Sequence, residues 1–200
     1  MKLQAFLPLV TYTDPNSDAV AANAVAVAAL LGADLGVLAV NVTIPQVSNA
    51  LSRFLIDVPD MIRQAETTSR RHGERLIAAV EEAGKAAGVA VSAETVTESQ
   101  PLLSATAALH ARYHDLVLVG LEDGNPTSRM TAESAVFGSG RPVVLMPETL
   151  DIGAFDHVAI AWDGSRVAAR AAADARPFLA RARKVSVLTV ADEKKLAVED

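Results

Sequence analysis

Short runs that are apolar almost throughout, each followed by a stretch long enough for a helix, constrain this chain more than any other feature. Ala5–Tyr12, Asp34–Val42, Leu116–Gly120 and Pro142–Pro147 hardly alternate between apolar and polar residues. A strand exposed on one face alternates, whereas one covered on both faces is apolar at nearly every position. A fifth segment, Val89–Val96, does alternate and reads as a strand with one wetter face. The connecting stretches are helical in character. One follows the turn Thr13-Asp14-Pro15-Asn16-Ser17, where Asn16 or Ser17 is placed to cap it, and stops at Gly32. A long one, Asp60–Ala87, puts Leu76, Ile77 and Val80 on one face and stops at Gly88. Ser99 is expected to cap a third, Gln100–Tyr113, with Pro101 tolerated in its first turn. The fourth spans about Thr127–Phe137.

Strand and helix thus alternate as βαβαβαβαβ. With short connections and right-handed crossovers this predicts an α/β fold: a doubly wound, open parallel five-stranded sheet, Rossmann-like, with helices on both sides, for which the order taken is 3-2-1-4-5. Prolines at both ends of Pro142–Pro147 mark that run as an edge strand, since neither can donate to a central ladder. Thr43–Pro59, with two prolines and mixed polarity, reads as a loop with a short helical turn.

The order then begins again. Val158–Trp162, the turn Asp163-Gly164-Ser165, an Ala-rich helix interrupted at Pro177, and Val185–Val190 repeat the opening unit without a gap at an offset of 150. Val187 falls on Val37 and Trp162 on Tyr12, but the shared order of elements carries the argument more than these matches. The expected organisation is a complete domain at 1–147, a linker at 148–155, and an incomplete second copy, β-α-β only, at 156–200. A lone βαβ unit does not cover its own sheet. Residues 156–190 are therefore expected to dock on the first domain, to pair with another chain, or to belong to a longer protein cut at 200, the last being the expectation.

Composition narrows the partners. The formal net charge of −6 offers no basic footprint, so nucleic acid is not expected. The chain has no cysteine, which excludes disulfides and thiolate metal sites and suits a reducing compartment. The N-terminal apolar run is short for a signal peptide, and Asn23, Asp34 and two glycines break up Ala19–Val40, so no membrane span is expected and the location read is cytoplasmic.

In an open α/β sheet the ligand crevice lies where the winding reverses, which for the order 3-2-1-4-5 is between the first and fourth strands. Tyr12, Thr13 and Asp14 would line one side and Gly120–Gly124 the other, with Val40 and Asn41 at the flank. Phosphate would meet two carboxylates there, Glu122 and Asp123, and the nearest downstream cation is Arg129. Like charges in a low-dielectric cleft are costly, so a triphosphate would need Mg2+, and a solvated acidic loop is the plain alternative.

Two segments carry a resemblance. Val158-Ala159-Ile160-Ala161-Trp162-Asp163-Gly164-Ser165 before an Ala/Arg-rich helix, and Gly138-Ser139-Gly140-Arg141-Pro142-Val143-Val144-Leu145-Met146-Pro147 closing a domain, resemble the universal stress protein family in its tandem, two-domain form. The resemblance implies doubly wound five-stranded domains that pair through the last strand, here Pro142 to Pro147, as a homodimer or within one chain. It also implies, for some members, ATP or AMP held by G-x-x-G followed about nine residues later by G-[S/T]. Here the first glycines are Gly120 and Gly124, and the second step falls on Arg129-Met130, so the first domain is expected to be degenerate for ATP. Asp163 matches an acidic residue that the family uses near the nucleotide. The nucleotide-binding candidates are Thr13, Asp14, Val40, Gly120, Gly124, Asp163 and Gly164, with ATP or AMP and Mg2+ as the ligands implied.

Single residues also have rival readings. Ser165 follows a strand and opens a helix, but no glycine elbow or placed His makes it a nucleophile, and a helix N-cap accounts for it. His110 and His114 lie four apart near a helix C-terminus, without an H-E-x-x-H pattern. Arg70-Arg71-His72 reads as a solvated helix face. Asp14 is a crevice contact or simply the turn residue before Pro15. The function expected is a non-enzymatic stress-response protein acting by adenine-nucleotide sensing or protein association. The alternatives are a weak metal-dependent ATP hydrolase using Asp14 and Asp163, and a purely structural dimerisation module.

Overall fold

The structure is a computed structural model and describes residues 2–45, 58–150 and 152–190. Most of the expected loop at 43–59, and the polar tail after Val190, lie outside the described residues. The chain divides into two compact units, Met1–Asp151 and Ile152–Asp200.

The first unit is built from β1 (Gln4–Val10), α1 (Ala19–Leu31), β2 (Asp34–Thr43), α2 (Val58–Ala87), β3 (Val91–Ser99), α3 (Leu103–Ala111), β4 (Leu116–Leu121), α4 (Pro126–Gly138) and β5 (Val143–Pro147). Its five strands are all parallel, in the order β3-β2-β1-β4-β5. β1 and β2 are buried over almost their whole length, because helices cover both faces. One such face packs Phe6, Leu38, Val40, Val117 and Val119 against Ala107, Ala111, Ala132 and Ala135 of α3 and α4. Alanine on the helices lets them lie close to a Val-rich sheet. The edge strand β3 is half-buried and carries Glu94 and Glu98, charges that discourage further strand pairing.

The β1–β2 ladder runs through seven residue pairs, whereas β1 and β4 pair only at Ala5 and Phe6. Pro8, two residues further on, has no N–H with which to extend the second ladder. The two strands therefore part towards their C-terminal ends, where a crevice would open.

α2 buries a stripe of Ser69, Gly73, Leu76, Val80 and Gly84, spaced three to four residues apart. A Cβ on Gly84 would stand 2.4 Å from Val91 Cγ2, so glycine there sets how closely the helix approaches β3. At 30 residues the helix is about 45 Å long at 1.5 Å per residue, more than the strands beneath it, and no described side chain before Ser69 is buried. Near its start the Glu66 carboxylate accepts from Ile44 N–H (2.9 Å) and the Thr43 hydroxyl (3.0 Å), which ties the end of β2 to the helix. The Ile44 bond above all, with that of Thr43, holds Glu66 below the ordinary glutamate pKa.

Several local expectations change. Neither Asn16 nor Ser17 caps α1 with its side chain; Asp18 occupies the N-cap position and ion-pairs with Arg75 of α2. Ser99 ends β3, makes no cap bond, and leads through a 3-10 turn, Gln100–Leu102, into a shorter α3. Its hydroxyl donates to Glu98 instead. His72 leaves the solvated face, half-buried with Nδ1 3.2 Å from Thr11 O. His114 stacks on Phe6 at 4.7 Å between ring centres, with Nδ1 against His110 O, which makes it a packing residue.

The second unit holds β6 (His157–Ala161), α5 (Arg166–Asp174), α6 (Arg176–Leu179) and β7 (Lys184–Leu188), with β6 and β7 parallel. Pro177 sits in the first turn of α6, which is how the expected interruption is realised. Ser165 caps α5 by accepting from Ala168 N–H at 3.1 Å, and Phe155 meets Phe178 edge to face at 5.3 Å. None of the described residues of this unit is buried, and Val167, Val187 and Val190 are 75, 60 and 70% exposed. Among the described residues of the chain, no helix is long and apolar enough to cross a membrane.

Candidate functional site

The crevice expected between β1 and β4 forms around the loops that leave their C-terminal ends. After β1 the chain turns back on itself. Asn16, 1% exposed, donates from its backbone N–H to Val10 O (3.1 Å), while its Oδ1 accepts from Val10 N–H (2.8 Å). That reciprocal pair fixes the loop and leaves the Asn16 Nδ2 group and the Ser17 N–H pointing towards the β4–α4 loop. Both donate to Glu122 Oε1, at 3.2 and 2.8 Å. Glu122 Oε2 accepts from Asn125 Nδ2 (2.9 Å), which also reaches Asp14 O (3.1 Å). Asn125 in turn caps α4, its Oδ1 accepting from Thr127 and Ser128 N–H at 3.0 and 2.9 Å.

The Glu122 carboxylate therefore takes the donors that a phosphate would need. Hydrogen bonds to an ionised acceptor are the strong ones, so this side chain latches the two loops together. Between β1, β2, α3 and α4 there is a space of only about 10 Å3, lined by Pro8, Val10, Tyr12, Val40, Leu103 and Thr131 among others. That is room for about one water molecule. Sequence reading marked Glu122 as a repulsive charge in the crevice. It missed the partners, because nothing in the local sequence shows that Asn16 and Asn125 face one another across two loops.

The candidate residues divide by place. Thr13 and Asp14 lie exposed at the rim, Thr13 donating to Asp14 Oδ2 at 3.1 Å. Val40 is 5% exposed within the core cluster. Gly120 faces α1, where a Cβ would stand 2.7 Å from Val20 Cγ2. Gly124 has φ +74 and serves the turn before α4. Arg129 points away, paired with Glu133 at 3.0 Å. Asp163 and Gly164 lie at the end of β6 in the second unit, where Asp163 Oδ1 accepts from Ser165 N–H at 2.9 Å. Trp162, Asp163, Ser165, Val167, Leu188 and Val190 help to line an open groove of about 690 Å3 there. Among the described residues, no group of three or more His, Cys, Asp or Glu side chains is placed to hold a metal ion.

No family model matches the sequence, and no curated protein matches it. Solved structures do. A universal stress protein from Archaeoglobus fulgidus DSM 4304 aligns over 97% of this chain and 68% of its own, at 17% identity and a TM-score of 0.64. A universal stress protein in complex with cAMP aligns over 72% of this chain and 96% of its own, at 16% identity and a TM-score of 0.45. A universal stress protein family protein from Arabidopsis thaliana with AMP bound aligns over 72% and 91%, at 15% identity and a TM-score of 0.41. At such identities similarity speaks for the fold, and the first of these superpositions carries it over nearly the whole chain. The sheet order and that superposition together establish that the chain has the universal stress protein fold.

Proposed function

We propose that this is a universal-stress-type protein that acts without turnover, through adenine-nucleotide sensing or protein association, and that its first unit does not take ATP in the β1/β4 crevice. The Glu122 latch carries that reading. Three N–H donors are already spent on an internal carboxylate, and the space lined by Val10, Tyr12 and Val40 is about 10 Å3. A triphosphate would have to displace that carboxylate and then sit beside it. The exposed Asp123 adds a second negative charge near the mouth.

A nucleotide, with or without Mg2+, is then expected at the end of β6 around Asp163 and Gly164. Isothermal titration of the full chain with ATP and AMP, each with and without Mg2+, checks this. The expected result is heat that Asp163→Ala abolishes. Heat unchanged in that variant would place the nucleotide elsewhere, and no heat with either nucleotide would remove sensing from the proposal.

One observation favours association as a second reading. Among the described residues β5 is an edge strand that pairs with β4, with Val143 and Val144 half-buried and Leu145 46% exposed. An apolar edge with unpaired backbone groups is a template for another strand. The proposed homodimer uses this edge, Pro142 to Pro147. Val144→Lys should convert a dimer into a monomer in sedimentation, and a wild type already monomeric at high concentration would end the idea.

A further inference from the structure

A second cleft shares Thr11 and Tyr12 with the β1/β4 crevice but opens on the other side, between the loop after β1 and the overhanging first turns of α2. Thr11, Tyr12 and Thr13 form one wall; Met61, Gln64, Ala65, Thr68 and His72 form the other. Met61, the adjacent Gln64 and Ala65, Thr68 and His72 recur three to four residues apart, so a single stripe of α2 faces the loop. The cleft holds about 280 Å3, close to the lower end of the roughly 300–1,000 Å3 of small-molecule pockets.

Its floor is locked. The Thr11 hydroxyl donates to Val40 O at 2.8 Å, so the Ser69 hydroxyl, also 2.8 Å away, must donate to Thr11 Oγ1. Ser69 Oγ then accepts from Val42 N–H at 3.0 Å. Thr11 O faces His72 Nδ1 at 3.2 Å, and a carbonyl only accepts, so the ring proton sits on Nδ1. In the neutral ring Nε2 is left as an acceptor, and it makes no hydrogen bond among the described residues. The Tyr12 and Thr68 hydroxyls make none either. Gln64 Nε2 is used by Asp60 at 2.7 Å, which leaves its Oε1. Beside this floor, Asn41 is 4% exposed and its Oδ1 is buried without a partner. That oxygen lies 2.8 Å from where a Gly73 Cβ would stand, and Thr11 Cγ2 lies 3.5 Å from the same point.

None of the eight lining side chains carries a fixed charge. The walls offer an aromatic ring, a thioether, hydroxyls, an amide oxygen and an imidazole nitrogen. Phosphate or carboxylate would find no cation here, and an aliphatic ligand would leave the polar groups unpaired. A flat ring between Tyr12 and Met61 with donors at its edge uses both kinds of surface. We infer that this cleft binds a small, uncharged, planar heterocycle through Tyr12, Thr68 and His72, independently of Asp163.

The test is amide chemical-shift mapping on the full chain with millimolar uracil, nicotinamide or adenine, and inorganic phosphate as the charged comparison. At least one planar probe is expected to shift the amides of Thr11, Tyr12, Thr13, Thr68 and His72, while phosphate leaves them in place. Ala65→Trp fills the cleft from the helix side and should abolish the shifts. Thr68→Val keeps the shape, removes one hydroxyl and should weaken them without altering the thermal melt. Asp163→Ala should leave them intact, so this result stands or falls apart from the nucleotide titration above. Absence of shifts with all three planar probes, equal shifts with phosphate, or shifts that survive Ala65→Trp would overturn the inference.

Discussion

Leu118→Ala is expected to cost about 2–5 kcal/mol of stability, the range for truncating a fully buried leucine that its surroundings close over only in part. Leu118 is 0% exposed at the centre of β4, between β1 and β5, and pairs in register with Val144. For a chain of this size each kcal/mol moves the melting point by roughly 2–4 °C, so calorimetry should read a drop of about 4–20 °C. Val187→Ala in the second unit is the internal contrast. That side chain is 60% exposed and should change stability by no more than about 0.5 kcal/mol. Equal effects from the two substitutions would mean that the first unit does not hold the core.

Glu122→Ala carries the second large effect, about 1.5–3 kcal/mol, as expected for losing hydrogen bonds to a charged acceptor. The Asn16 amide, the Ser17 N–H and the Asn125 amide would all lose their acceptor. Asn125 keeps its Oδ1 on the start of α4, so the helix cap survives and the loss is confined to the link between loops. Glu122→Gln should fall between wild type and Ala, because its amide keeps one acceptor but turns an N–H2 towards a neighbouring donor. Thermal melts of the three proteins provide the measurement. An Ala variant that melts with the wild type would show that the carboxylate closes nothing.

How much of this was legible beforehand depends on whether the signal was local. Gly32 at φ +64 and the Ser165 cap were readable because a helix end needs its own neighbouring residues. Asn16 and Ser17 were read as caps by the same rule, and there the rule lost. A carboxylate more than a hundred residues away offered the loop's N–H groups a charged acceptor, and Asn16 turned to Val10 and Glu122 instead. His72 was assigned to solvent from its neighbours Arg70 and Arg71. The helix phase moves it by about 100° per residue, onto the side where Thr11 O waits.

The sequence by itself determined the alternation of strand and helix and the renewed β-α-β after residue 150. Both follow from periodicity, which acts over neighbouring segments, whereas right-handed crossovers allow more than one strand order, and the packed sheet has the order 3-2-1-4-5. Tertiary structure alone decided what fills the crevice. Asn16, Glu122 and Asn125 meet because β1 and β4 are adjacent in space although far apart in the chain, and their separation past Pro8 leaves room for one carboxylate and its donors. The cleft beside α2 has the same origin: a helix longer than the strands beneath it overhangs the sheet, and only the packed fold shows which loop it overhangs.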